Sequence, residues 1–183
     1  MHPDELEFLR SWLSRAAEDL DAAAALSAAG PACIGSALFH CQQAAEKAAK
    51  AYLAYTGTPS GKTHDVSSLL DIASDTTSAF EPLRSAAATL TPYAVVYRYP
   101  GVTSPPTAEQ LGQALSDAHA FFRTAVSLLP PEVSPGLPTQ PSASVEDAGP
   151  PAGEGERDTR ETSLRVGPPR HPAGEPSDRH LPR

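Results

Sequence analysis

Apolar side chains recur through the first 129 residues at intervals of three and four, and no useful stretch alternates with period two. The first stripe is Leu6, Leu9, Leu13, Ala16, Ala17, Leu20 and Ala24, with Phe8 and Trp12 alongside. Such spacing lays the residues along one face of a helix, and that face must be covered by another element. Pro3 followed by Asp4, Glu5 and Glu7 suits the positive end of the helix, and Gly30-Pro31 stops it. A second long helix is predicted over 32–55, ended by the run Thr56-Gly57-Thr58-Pro59-Ser60-Gly61. A third, shorter one follows His64-Asp65 on Val66, Leu69, Leu70 and Ile72. A fourth spans about 81–90 on Leu83, Ala86, Ala87 and Leu90 before Thr91-Pro92. Thr107 and Gln110 read as a capping box for the last helix, which runs to Leu129. Ala94-Val95-Val96-Tyr97 could pass for a strand, but one short run makes no sheet. The expected fold is all-α: an up-and-down bundle of four to five helices, four main and one short.

Composition changes abruptly at Leu129-Pro130. Twelve of the 20 prolines, and no aromatic residue, lie in 130–183. Such a segment cannot bury enough apolar surface to offset an ordering cost of roughly 1–2 kcal/mol per residue. It is read as a disordered tail, which leaves one helical domain over 1–129, a usual domain size.

The net charge of −8 divides into −5 for 1–129 and −3 for 130–183, which excludes a scaffold that holds duplex nucleic acid by bulk attraction. Any nucleotide must be met by a local basic site. Cys33 and Cys41 stand eight residues apart on one predicted helix, roughly 12 Å at the helical rise and beyond disulfide reach. No Cys-x-x-Cys pair, His/Cys cluster, apolar leader or long apolar run is present. These features lead us to expect a reduced cytoplasmic protein with no structural metal, no cofactor and no membrane span.

Three clusters carry chemistry. His40, Gln43 and Lys47 sit at i, i+3 and i+7 on the second helix, offering an imidazole, an amide and an ammonium to bases and phosphates; a partly buried, structural His40 is the alternative. Glu46 and Lys50 form a favourable i, i+4 pair, read as surface support. Lys62-Thr63-His64-Asp65 opens the third helix, either as its cap or as a phosphate seat holding Lys62 and His64. Arg98 and its neighbours Tyr93, Tyr97 and Tyr99 offer a cation and stacking platforms, or else an aromatic plug with Arg98 in a salt bridge. His119, between Leu115 and Phe122, is read as structural.

His-Cys-Gln-Gln-Ala-Ala-Glu-Lys at 40–47, Lys-Thr-His-Asp at 62–65 and Arg-Tyr-Pro at 98–100 together resemble the HEPN family over about 4–129. The resemblance implies a four- or five-helix bundle, commonly a homodimer, often encoded beside a minimal nucleotidyltransferase in toxin–antitoxin or accessory-subunit pairs. It also implies that many relatives are metal-independent ribonucleases with Arg, four to six residues, then His. That motif is absent from 1–129: Arg98, for example, is followed at those positions by Thr103, Ser104 and Pro105. Arg165 and His171 match in number, but across Gly167-Pro168-Pro169 in the tail. No catalytic residue is therefore assigned. The expected function is a noncatalytic nucleotide- or RNA-binding module using His40, Gln43, Lys47, Lys62, His64, Tyr93, Arg98 and Tyr99. A divergent ribonuclease using Arg98 with His40 or His64, and a plain dimerisation scaffold, are the alternatives.

Overall fold

The computed structural model describes residues 1–99 and 104–134. Its helices are α1 (Pro3–Ala28), α2 (Ile34–Tyr55), α3 (Val66–Ser74), α4 (Arg84–Leu90) and α5 (Ala108–Leu128), and the described residues contain no strand. The caps of α1 and α5 fall where the sequence places them. At α1, the Glu5 carboxylate accepts the His2 backbone N–H at 2.8 Å, with Pro3 as the first helical residue. At α5, Thr107 and Gln110 exchange hydrogen bonds of 2.8 and 3.2 Å, a complete capping box.

α2 is the axis of the bundle. Ala37, Leu38, Cys41, Ala44, Ala45, Ala48, Ala49, Ala51 and Leu53 are all buried, and α1, α3 and α5 pack around them. The alanines make this possible, since methyl side chains favour the helix and let neighbouring backbones approach closely. Aromatic rings fill the far side: Phe80 lies 6.1 Å from Phe121 and 5.4 Å from Tyr52, centroid to centroid.

Three local readings are corrected. The fourth helix divides, with a 3-10 turn over Glu81–Leu83 before α4 and another over Thr91–Ala94 after it; Pro82 and Pro92 stand in the two turns. Cys33 lies in a 3-10 turn, Pro31–Cys33, that precedes α2 rather than in the helix with Cys41; both thiols are free. The packing also passes the boundary expected after Leu129. Pro131–Val133 forms a further turn, Val133 is buried, and Arg10 donates to the Glu132 carbonyl at 3.0 and 2.6 Å. The disorder expected of the tail falls, from residue 135 onward, outside the described residues, as does Pro100 of the Arg-Tyr-Pro motif.

Candidate functional site

The polar face of α2 is cross-linked by two carboxylates. Asp19, reaching over from α1, sits 2.9 Å from His40 Nδ1 and 2.5 Å from Lys47 Nζ. Lys47 also donates to Gln43 Oε1 at 3.0 Å. Next to Lys47 in sequence, Glu46 sits 2.8 Å from Lys50 Nζ and 3.0 Å from His64 Nδ1. The two groups are joined by amides: Gln43 Nε2 donates to Gln42 Oε1 at 2.7 Å, and Gln42 Nε2 donates to Glu46 and to the His64 carbonyl at 3.0 and 2.9 Å. The result is a continuous network from α1 through α2 to the start of α3.

This arrangement overturns the reading of Glu46 and Lys50 as surface support. Glu46 is only 4% exposed and Gln42 is fully buried. Burial alone would raise the Glu46 pKa, but hydrogen bonds from Lys50, Gln42 and His64 outweigh it and hold the carboxyl below its ordinary range. Asp19, Gln42, Glu46 and Lys50 are thus members of the site that the sequence reading did not select.

The phosphate seat at the start of α3 is also filled from within. Asp65 is the N-cap, its carboxylate accepting from Ser68 N at 3.0 Å and from the Thr91 hydroxyl at 3.2 Å. An anion there would meet a carboxylate, so only the exposed side chains of Lys62 and His64 remain for a ligand. Tyr93 is buried, 6.0 Å from the Tyr97 ring, and cannot lie beneath a base. His119 donates to or accepts nothing beyond its own helix among the described residues, its Nδ1 lying 2.8 Å from the Leu115 carbonyl.

Arg98 is exposed and held by aromatic rings rather than by a carboxylate. Its guanidinium lies 4.7 Å above the Phe39 ring and 5.9 Å from that of Tyr99, and it forms no ion pair among the described residues. Its position is set by Gly35: a Cβ there would come within 3.0 Å of Tyr97 Cβ, so the missing side chain lets this segment settle directly on α2. Phe39 in turn meets the His40 ring edge-on at 5.3 Å.

The face continues the other way. Lys50 Nζ lies 6.0 Å from the Trp12 ring, and Trp12 meets Phe8 edge-on at 6.2 Å. Phe8, Met1, Tyr55, Glu5 and Glu132 line an open groove of about 710 Å³ at that end. Phe39 and Tyr55 stand about 24 Å apart along the α2 axis. Aromatic rings and cations follow one another along it: exposed Tyr99 and Arg98, partly buried Phe39, the largely shielded Lys47 and Lys50, then Trp12 and exposed Phe8. Among the described residues, no group of three or more His, Cys, Asp or Glu is placed to hold a metal, and no helix is long and apolar enough to cross a membrane.

A family model described as the HEPN domain matches residues 9–129. A solved structure, the crystal structure of TT1696 from Thermus thermophilus, is similar with a TM-score of 0.57 and 28% identity, over 66% of this chain and 98% of that one. No curated protein matches the sequence.

Proposed function

The chain belongs to the HEPN family, and on that premise we propose that it is a noncatalytic module that binds a nucleotide or single-stranded RNA along the α2 face. The observation that carries this reading is Arg98, held 4.7 Å above Phe39 beside the exposed ring of Tyr99 and without a carboxylate partner among the described residues. A guanidinium between aromatic rings offers stacking and charge at once, which suits an unpaired base and its phosphate. Lys62 and the outer edge of His64 extend the contact. Lys47, Lys50 and Gln43 shape the floor, engaged with Asp19 and Glu46 rather than with ligand. The overall acidity fits a local site rather than bulk attraction of a polyanion. On this reading its partners are a second copy and a minimal nucleotidyltransferase, as in toxin–antitoxin or accessory-subunit pairs.

The test is fluorescence anisotropy with a labelled single-stranded RNA, and ATP as competitor. Binding that weakens with added salt and is lost in Arg98→Ala supports the proposal. An affinity indifferent to Arg98→Ala sinks it.

One observation favours a second reading, the divergent ribonuclease. His40 and His64 each have Nδ1 on a carboxylate and Nε2 left over, which is how a general base is held. Cleavage of the same RNA, abolished by Arg98→Ala, would establish it.

A further inference from the structure

We infer that His40 and His64 read the sugar of the bound strand, selecting ribose over deoxyribose by accepting hydrogen bonds from 2′-hydroxyls. This rests on the nucleic-acid-binding reading above and adds a specificity to it.

At their inner ends both imidazoles meet carboxylates, and an ionised carboxylate only accepts hydrogen bonds. Asp19 already accepts from Lys47 at 2.5 Å, and Glu46 from Lys50 at 2.8 Å and from Gln42 at 3.0 Å. Each Nδ1, 2.9 Å from Asp19 and 3.0 Å from Glu46, must therefore carry the proton. In the neutral ring this leaves Nε2 with a lone pair and no hydrogen. Neither Nε2 has a partner among the described residues, and the His64 side chain is 73% exposed. The carboxylate fixes each ring and its tautomer as it does for a metal-bound imidazole.

Two outward acceptors need donors. A phosphodiester backbone with deoxyribose offers acceptors only, so it cannot satisfy them. Ribose adds a hydroxyl at every residue that donates as well as accepts. His40 and Glu46, the anchor of His64, lie six residues apart on α2, about 9 Å along the axis and about 120° apart around it, a separation that one strand of a few nucleotides can span by crossing the helix.

The experiment compares the full chain's affinity for an RNA and a DNA strand of one sequence, made of adenine and cytosine only so that the bases are identical, at about pH 8 where imidazole is ordinarily neutral. The expected result is tighter RNA binding by about fivefold or more, the scale of one or two net hydrogen bonds. His64→Phe and His40→Phe keep a ring but lose the acceptor, and each should bring the ratio of DNA to RNA dissociation constants toward one. Asp19→Asn tests the tautomer with little change of shape: an amide N–H facing Nδ1 turns Nε2 into a donor, and the preference should fall with His40 still in place. Thermal unfolding of each variant separates this from loss of fold. Equal affinity of the native chain for both strands overturns the inference and leaves the binding reading standing. A preference that survives both Phe substitutions overturns it as well. Binding of neither strand removes both.

Discussion

Asp19 on α1 grips Lys47 on α2, carboxylate oxygen to ammonium at 2.5 Å, across 28 positions of sequence. The same carboxylate holds His40, so one side chain locks the two longest helices and orients the ring between them. Both partners are largely shielded, which limits screening by solvent and salt. Lys47→Ala should therefore lower stability by about 1.5–3 kcal/mol, the range for a hydrogen bond to a charged group. Urea unfolding measures it. A variant as stable as the native chain would show that the pair contributes nothing.

Glu46 gives a pH dependence. Its folded pKa is lowered from the ordinary value of 4.5, so its contribution is present above that value and is lost as the pH falls through the lower folded value. Glu46→Ala leaves Lys50 buried without its counter-ion and removes the anchors of Gln42 and His64, a loss of about 3–5 kcal/mol at neutral pH. The gap between native and variant should narrow below pH 4.5, read by urea midpoints across an acid series. A gap that stays constant into acid would assign the effect to packing alone.

The legible and illegible parts of this molecule divide along a physical line. Helices α1, α2 and α5 follow from periodic apolar stripes, and the Thr107–Gln110 cap follows from residue types three positions apart. Those are local signals. Asp19 was invisible because nothing near it in sequence shows that α1 delivers it to His40 and Lys47. Glu46 and Lys50 have the spacing of an ordinary surface pair, and spacing does not report that the His64 segment folds over them. Tyr93 looked like its neighbour Tyr99, yet one turn of 3-10 backbone sends it into the core and leaves the other outside.

Arg98→Lys separates charge from stacking. Lysine keeps the cation but has no planar surface to lie on Phe39 or beneath a base. Because Arg98 is exposed, stability should change by less than about 0.5 kcal/mol. RNA affinity should fall severalfold while its salt dependence persists, as measured by anisotropy titrations at two ionic strengths. Full affinity in the lysine variant would mean that charge alone holds the ligand.

The two thiols should react very differently. Cys41 is wholly buried, and burial raises its pKa to about 12, so almost no thiolate forms at neutral pH. Cys33 is partly exposed at the turn before α2. A thiol reagent should label one cysteine in the native chain and both in denaturant, with mass mapping placing the first label on Cys33. Rapid native labelling of Cys41 would mean that α2 opens locally far more often than its packing implies.

Gly35 links the bundle to the site. A side chain at this position meets Tyr97 Cβ, already 3.0 Å from where a Cβ would stand, so either Tyr97 or α2 must move. Alanine adds helix propensity worth about 1 kcal/mol, which offsets part of the crowding. Valine adds two further methyl groups and lacks that full gain, so Gly35→Val should destabilise by about 1–3 kcal/mol. The displaced segment carries Arg98, so RNA affinity should fall even though no ligand contact is altered. If binding is unchanged while the melting temperature drops, the stack of Arg98 on Phe39 does not depend on Tyr97 lying against Gly35, and the seat is set elsewhere in the turn.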